Sequence, residues 1–264
     1  SSAASDVYKR QILNTFDLTG KTAIVTGGGR GLGKGIAEGL CEAGASVVII
    51  GSSNSVINTA KEFTDKGFIA YAIKGDLSNK ELIPTIFNEA LSKLNGKIDI
   101  LINNAGIQRR HKCEEFPLSD WEAVLQVNLN TVFMLCQLAG NVMLKQGHGK
   151  IINLASMLSF FGGYTVPAYA ASKGAVAQLT KALANEWANK NINVNAIAPG
   201  YMNTEMNVNL VNDTNRNQEI LNRIPAGRWG TPNDMKGLAI FLSSSASNYI
   251  NGAIIPVDGG YLSR

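Results

Sequence analysis

The sequence predicts an α/β fold built on one doubly wound parallel sheet. Short runs of β-branched and other apolar residues recur along the chain, each with the length of a strand buried on both faces. Helical patterns separate these runs, and no internal repeat or Gly/Pro-rich linker divides the chain. Strands that alternate with helices in this way form a parallel sheet with helices on both faces. We therefore expect a single domain over residues 12–264.

The apolar runs place the predicted strands along the whole chain, at residues 21–26, 46–50, 68–74, 98–102, 150–155, 192–198 and 254–257. Helical periodicity predicts helices over 55–66, 121–145 and 234–243. A further helix begins at Pro167, whose fixed φ suits a first helical turn. Residues 201–223 are polar and only weakly helical, and we expect them to form a mobile lid.

Composition argues against several classes of protein. Apolar residues make up 45% and charged residues 17% of the chain, as in an ordinary globular protein. A net charge of +4 without blocks of like charge indicates no nucleic-acid partner, and no apolar run approaches the ~18 residues of a membrane span. Three cysteines without CxxC spacing indicate a reducing, cytoplasmic location. Residues 1–11 do not resemble a signal peptide, and we expect them to be a non-native or disordered extension.

The first strand runs directly into the glycine turn Gly27-Gly28-Gly29-Arg30-Gly31-Leu32-Gly33, and a helical pattern follows. Glycine lets the backbone approach a ligand closely, while the N–H groups and dipole at a helix N-terminus favour a phosphate. The spacing Gly-x-x-x-Gly-x-Gly is a variant of the Rossmann dinucleotide turn. We therefore expect a Rossmann-type domain that binds the phosphates of a dinucleotide here.

The residues after the second strand bear on the choice between NAD(H) and NADP(H). Gly51-Ser52-Ser53-Asn54 contains no carboxylate to bind the adenosine ribose hydroxyl, whereas Arg30 could meet a 2′-phosphate. This combination favours NADP(H), with NAD(H) still possible. Alternatively, Arg30 faces solvent and the neutral loop accepts either cofactor. Asp76 could hydrogen-bond the adenine amino group, or it could cap the next helix through Ser78.

Tyr169 and Lys173 lie four positions apart in the helix that begins at Pro167, so both point from one helix face. Free tyrosine has a pKa near ~10, and a neighbouring cation lowers it, so the pair could act as a tuned acid and base. Alternatively, an exposed lysine lies beside a half-buried tyrosine without any catalytic role.

Two further polar residues occupy positions expected to be buried or close to a ligand. Asn128 interrupts a long apolar helical pattern, so it must be hydrogen-bonded: it either holds the helix against the next strand or sits at the active site. The fifth strand delivers Ser156 to the carboxyl edge of the sheet, where ligands bind in such folds. Only two histidines, His111 and His148, are present, without a second ligand at metal spacing, so we expect no metal site.

Together these motifs resemble the short-chain dehydrogenase/reductase family over residues 16–264. The resemblance rests on Thr26-Gly27-x-x-x-Gly31-x-Gly33, Asn103-Asn104-Ala105-Gly106, Asn128, Ser156, Tyr169-x-x-x-Lys173 and Pro199-Gly200. It implies a seven-stranded Rossmann sheet, a homotetramer, and hydride transfer between NAD(P)H and a carbonyl or alcohol.

The resemblance also implies residue roles. Tyr169 would be the general acid for reduction and the base for oxidation, with its pKa lowered by Lys173, which would also hold the nicotinamide ribose. Ser156 would donate a hydrogen bond to the substrate oxygen. Asn128 would anchor a water that leads protons to solvent. The implied cofactor-binding residues are Gly27, Gly29, Arg30, Gly31, Leu32, Gly33, Ser52, Ser53, Asp76, Leu77, Asn103, Ala105, Gly106, Tyr169, Lys173, Pro199, Gly200, Met202 and Thr204.

Within the family, residues 103–110, 155–160 and 223–230 resemble 2-dehydro-3-deoxy-D-gluconate 5-dehydrogenases, which act on an acidic keto-sugar from uronate breakdown. A substrate carboxylate needs a cation, and the implied substrate residues are Arg109, Arg110, Ser156, Met157 and Tyr169. Alternatively, the two arginines form a solvated or subunit-interface cluster. Gluconate 5-dehydrogenase and 3-oxoacyl-(acyl carrier protein) reductase are alternative activities, and a non-catalytic nucleotide-sensing module is an alternative of another class.

Overall fold

The centre of the molecule is a seven-stranded parallel sheet in a computed structural model that describes residues 11–264. Its strands are β1 (Thr22–Thr26), β2 (Ser46–Gly51), β3 (Ala70–Lys74), β4 (Ile100–Asn103), β5 (Gly149–Leu154), β6 (Ile192–Pro199) and β7 (Ile254–Val257). Their order across the sheet is β3-β2-β1-β4-β5-β6-β7, and every pair of neighbours is parallel. The predicted doubly wound parallel sheet is confirmed.

Nine helices longer than one short turn connect or cover the strands within residues 11–264. They are α1 (Gly31–Glu42), α2 (Ser55–Asp65), α3 (Ile83–Lys93), α4 (Leu118–Leu125), α5 (Thr131–Gln146), α6 (Pro167–Trp187), α7 (Val208–Asn212), α8 (Thr214–Arg223) and α9 (Pro232–Ser243). A five-residue π-helical turn, Gln126–Asn130, joins α4 to α5.

Alternate residues of each strand face two separate cores, as a parallel sheet covered on both faces requires. On one face, Ile24 of β1 packs with apolar residues of α3, α5 and α6. On the other face, Ala23 and Val25 pack with residues of α1, α2 and α9. The near-continuous apolar runs in the sequence follow from burial on both faces.

The chain reverses its winding direction between β1 and β4, which lie side by side with Val25 opposite Ile102. Successive strands run outward from β1 to β3, after which the chain crosses back to β4 and continues to β7. In open α/β sheets the loops that leave the carboxyl ends of such a pair diverge and form a crevice. This crevice contains the candidate site.

Several predicted boundaries differ from the structure. The predicted helix over 121–145 is divided into α4 and α5 by the π turn. The polar segment 201–223 is more helical than predicted, because α7 and α8 occupy about two thirds of it. Apart from Gln11, the expected N-terminal extension 1–11 lies outside the described residues.

One helical stretch in the described chain, Leu118–Gln146, is long and apolar enough to cross a membrane, with a mean hydropathy of 1.3. Half of its most apolar window is buried in the protein. Leu135 and Cys136 of this stretch pack against Leu101 and Ile151 of the sheet. Core packing therefore accounts for its apolar composition.

Candidate active site

The glycine turn between β1 and α1 is held by side chains from two neighbouring elements. Asn104, directly after β4, donates from Nδ2 to the carbonyl oxygens of Thr26 (3.0 Å) and Gly27 (3.1 Å). The Thr26 hydroxyl accepts the backbone N–H groups of Asn104 and Ala105, each at 3.0 Å. This network joins the turn to the β4 loop across the crevice.

Glycine is required in this turn for reasons of space and conformation. A Cβ atom on Gly33 would lie 2.2 Å from the carbonyl oxygen of Gly27 and 2.4 Å from Nδ2 of Asn104. Gly27 and Gly31 have φ values of +64° and +53°, in the left-handed region that L side chains avoid.

We expect Gly33→Ala to destabilise the protein by about 1–3 kcal/mol, because the added methyl group must displace main chain of the glycine turn. The same displacement should weaken nucleotide binding. Gly174→Ala is the matched control. Gly174 lies in α6, and its Cβ would have no atom within 4 Å. Denaturant titration and calorimetric titration with nucleotide measure the two effects, and equal behaviour of the two variants would contradict the expectation.

A cavity of about 1290 Å³ extends along the carboxyl edge of the sheet from the β2 loop to the loop after β5. Every predicted cofactor-binding residue except Asn103 lines it, as do Ser156, Arg109 and Arg110. The volume exceeds the ~300–1,000 Å³ of most small-molecule pockets, so the cavity is large enough for a ligand of dinucleotide size.

The N-terminus of α1 faces this cavity without a side-chain cap. Arg30, the residue before α1, has extended backbone and makes no capping hydrogen bond with its side chain. The first N–H groups of a helix have no partner within the helix, so they are available to a phosphate. This observation fits the diphosphate of a dinucleotide cofactor.

Ser156, Tyr169 and Lys173 meet at the end of β5. Lys173 is 5% exposed, and its Nζ donates to the carbonyl oxygen of Leu154, the last residue of β5. The same Nζ lies 5.6 Å from the centroid of the Tyr169 ring. Ser156 accepts the N–H of Leu158 at 3.2 Å, and its hydroxyl is near enough to the phenol of Tyr169 to lower the pKa of that phenol.

The direction of the Tyr169 shift differs from the sequence-based expectation. Burial raises the pKa of the Tyr169 phenol, and the hydrogen bond from Ser156 only opposes that rise. Burial also lowers the pKa of the Lys173 ammonium to about 8. Lys173 is directed towards the Leu154 carbonyl and the face of the ring. With these contacts the ammonium does little to stabilise the phenolate form of Tyr169, although the i, i+4 spacing predicted that it would.

Asn128 lies in the π turn, fully buried, and does not line the cavity. Its Oδ1 accepts the backbone N–H of Ile107 at 2.8 Å, and its Nδ2 donates to the Ile107 carbonyl at 2.9 Å and to the Ser172 hydroxyl at 3.2 Å. It therefore holds the loop after β4 and links this loop to α6. The sequence analysis offered two roles, contact with the next strand or a place in the active site, and the observed role is neither of them alone.

The arginine pair lies at the edge of the cavity, on the loop after β4. Nε of Arg109 lies 3.4 Å from a carboxylate oxygen of Asp120, whose other oxygen is 2.6 Å from Nε2 of His111. Arg110 donates to the carbonyl oxygen of Tyr164 and to the hydroxyl of Thr165. Both guanidinium groups are thus positioned by neighbours while they remain accessible from the cavity.

The adenosine end of the cavity carries one ion pair. Nη1 of Arg30 lies 2.7 Å from Oε2 of Glu205, which belongs to the segment after β6. The neutral loop after β2 contributes Ser52 and Ser53 to the same end. Asp76 lines the cavity and also accepts the N–H of Ser78 at 2.9 Å, so both of its predicted roles remain open.

Comparisons with known proteins identify the family of this chain. A family model described as "Enoyl-(Acyl carrier protein) reductase", of the short-chain dehydrogenase type, matches residues 27–262. The chain belongs to the short-chain dehydrogenase/reductase family. The family resemblance drawn from the sequence motifs is confirmed.

Among its relatives in this family, a 2-dehydro-3-deoxy-D-gluconate 5-dehydrogenase of Bacillus subtilis is 53% identical and covers 95% of this chain and 98% of its own length. The enzyme of the same name from Escherichia coli is 49% identical, over 96% of this chain and 100% of its own length. The crystal structure of a gluconate 5-dehydrogenase from Burkholderia cenocepacia, in complex with NADP and tartrate, is 42% identical with a TM-score of 0.92, covering 96% of this chain and 99% of that one.

Besides Asn128, two predicted site residues of this short-chain dehydrogenase lie outside the cavity. Asn103 is buried at the end of β4, where its Nδ2 donates to Asn153 at 2.9 Å, because side chains alternate along the strand and the next residue, Asn104, faces the cavity. Met157 is also buried, in a small apolar cluster with Ile220, Ile224 and Tyr261 (the α8 cluster).

The structure adds two residues to the site. Asn104 is placed by its position after β4, and the strand alternation could have identified it. Glu205 reaches Arg30 from 175 positions along the chain, and no local pattern indicates that contact. Among residues 11–264, no group of three metal-ligating side chains occurs.

Proposed function

We propose that this protein is an NAD(P)(H)-dependent oxidoreductase that interconverts a hydroxyl and a ketone on an acidic sugar, as a 2-dehydro-3-deoxy-D-gluconate 5-dehydrogenase. The convergence of Ser156, Tyr169 and Lys173 beside the glycine-turn cavity carries this proposal. The names of relatives at 47–53% identity support the substrate class.

Tyr169 and Ser156 hydrogen-bond the substrate oxygen in this mechanism, and Tyr169 exchanges a proton with it. Ser156 accepts the Leu158 N–H through its oxygen, so its hydroxyl proton can be donated, either to the Tyr169 phenol or to a substrate oxygen. A carbonyl oxygen between the serine and the phenol receives two hydrogen bonds, which stabilise the negative charge that grows during reduction. The nicotinamide cofactor, when bound, supplies the hydride to the carbonyl carbon. Tyr169 then gives its proton to the oxygen and completes the alcohol; oxidation reverses each transfer.

Lys173 has a positioning role towards the phenol and the cofactor. Its hydrogen bond to the Leu154 carbonyl fixes Nζ beside the Tyr169 ring, at the end of the strand that also carries Ser156. A ribose hydroxyl in the cavity could accept one of the two remaining ammonium protons. We infer that Asn128 keeps the β4 loop in place around this site.

The direct test gives purified protein NADPH or NADH with 2,5-diketo-3-deoxy-D-gluconate and follows nucleotide absorbance. We expect oxidation of the nucleotide that depends on the keto acid. Turnover no faster than with neutral ketoses would reject the acidic substrate. A second candidate is gluconate 5-dehydrogenase, which the 40% identical Gluconobacter oxydans relative supports, and 5-keto-D-gluconate in the same assay separates the two.

Replacement of Arg109 tests recognition of the substrate carboxylate. Arg109→Ala is expected to raise KM for the acidic sugar by about tenfold or more, because a charge-assisted hydrogen bond contributes ~1.5–3 kcal/mol. KM for a neutral ketone should change little. Lys97→Ala, which removes an exposed cation that does not line the cavity, is the control. A proportional rise of KM for both substrates would instead indicate damage to the loop.

The cofactor preference proposed is NADP(H). Arg30 in the glycine turn and the absence of an acid at Gly51, Ser52 and Ser53 support it, and the B. cenocepacia structure was obtained with NADP.

We also propose a homotetramer in the cytoplasm. The half-exposed Phe133 and the exposed Leu118, on the helices α5 and α4, support association, and three unpaired cysteines fit a reducing compartment.

A further inference from the structure

We propose that Glu205 sets the balance between NADPH and NADH by competing with the 2′-phosphate for Arg30. This inference rests on the proposed function, in which Arg30 binds that phosphate. It starts from the ion pair in which Nη1 of Arg30 and Oε2 of Glu205 lie 2.7 Å apart.

The pair bridges two sides of the cofactor cavity. Arg30 precedes α1 in the glycine turn, while Glu205 begins the short turn Glu205–Asn207 after β6, and both line the cavity. The neighbouring residue Thr204 packs close to the same turn, because a Cβ on Gly31 would lie 3.7 Å from its Cγ2. The carboxylate is therefore held directly at the adenosine end.

Arg30 has no substitute at this end of the cavity. Among the described lining residues of the glycine turn and of the loops after β2 and β3, it is the only cation. Two nearby lysines are engaged elsewhere, Lys34 with Glu62 at 2.5 Å and Lys74 with Asn54 at 2.9 Å, and neither lines the cavity. A 2′-phosphate and the Glu205 carboxylate thus require the same guanidinium group.

The ion pair is weak enough to be displaced. The side chains of Arg30 and Glu205 are 71% and 68% exposed, so solvent screens their attraction. A phosphate monoester carries up to about two negative charges and can accept two parallel hydrogen bonds from a guanidinium. NADPH must therefore take Arg30 from Glu205. NADH leaves the pair intact, so Glu205 lowers the preference for NADPH.

The test measures dissociation constants by calorimetry for Glu205→Gln, Arg30→Met and the double variant, with NADPH, NADH, adenosine 2′,5′-bisphosphate and adenosine 5′-monophosphate. Glu205→Gln should tighten binding of the two 2′-phosphorylated ligands by about two- to fivefold and leave the other two unchanged. The same substitution in the Arg30→Met background should have no further effect. Glu219→Gln is the matched control, since Glu219 pairs with Arg216 at 2.7 Å in the same segment and does not line the cavity.

Three outcomes would overturn the proposal, and they differ in what else they affect. If Arg30→Met leaves the NADPH to NADH ratio unchanged, Arg30 does not bind the phosphate and the cofactor proposal fails as well. If Arg30→Met lowers that ratio but Glu205→Gln does not raise it, only the competition is rejected. If Glu205→Gln acts fully in the Arg30→Met background, direct repulsion replaces competition for Arg30.

Discussion

Replacement of Tyr169 by phenylalanine is expected to lower kcat by about 10²–10⁴-fold, the range that a positioned general acid contributes. The substitution removes one hydroxyl and keeps the ring that packs beside Lys173, so the fold and nucleotide binding should persist. Because burial raises the pKa of this phenol, it is protonated at neutral pH and ready to donate to a ketone. Steady-state rates in both directions, with calorimetric binding of nucleotide, measure the effect.

Tyr164→Phe is the matched control for this loss of a hydroxyl. Tyr164 lies in the loop between β5 and α6, five residues before Tyr169, and its side chain is 81% exposed. We expect its kcat to stay within about twofold of the original protein, as for exposed positions in general. A Tyr169→Phe protein that binds nucleotide and retains its full rate would remove the basis of the proposed mechanism.

Asn128→Ala is expected to destabilise the protein by about 2–4 kcal/mol, because it deletes three hydrogen bonds from a fully buried side chain and leaves main-chain groups of Ile107 without partners. The loop after β4 carries Arg109 and Arg110, so its release should also raise KM for the substrate. Urea denaturation followed by circular dichroism reports the change in free energy of unfolding.

Asn130→Ala separates this effect from a general effect on the π turn. Asn130 lies two residues further along the same turn, is exposed, and makes one side-chain hydrogen bond, to Gln126 at 3.1 Å. We expect a change below about 0.5 kcal/mol. Similar losses in the two variants would show that the turn itself, rather than the clamp on Ile107, limits stability.

The sheet and the glycine turn could be predicted from sequence because their determinants are local. Strands buried on both faces need a continuous apolar run. The run before Gly27 is followed immediately by several glycines, which allow the main chain to approach a ligand closely. Tyr169 and Lys173 could be paired because α-helical spacing alone puts them on one face. The placement of Ser156 follows from the end of β5, because Ser156 lies two residues after Leu154, whose carbonyl oxygen accepts the hydrogen bond from Lys173.

Other features depend on contacts between distant segments. Met157 lies away from the cavity because it packs against Ile220, Ile224 and Tyr261, which are all distant from it in sequence. Segment 201–223 has few buried apolar residues, only Met202 and Ile220, so its sequence shows little apolar periodicity. The helix α8 nevertheless forms within it. The raised pKa of Tyr169 reflects burial by several elements, which spacing to Lys173 cannot reveal.

The α8 cluster has a consequence for how the site can open. Met157, Ile220, Ile224 and Tyr261 bury one another apart from both cores of the sheet, and the Arg223 guanidinium stacks 4.5 Å from the Tyr261 ring centroid. Small clusters of this kind separate at lower free energy than the main body and do so as cooperative units. A local separation of this cluster would therefore release Met157, the residue after Ser156, while the strands of the sheet keep their register.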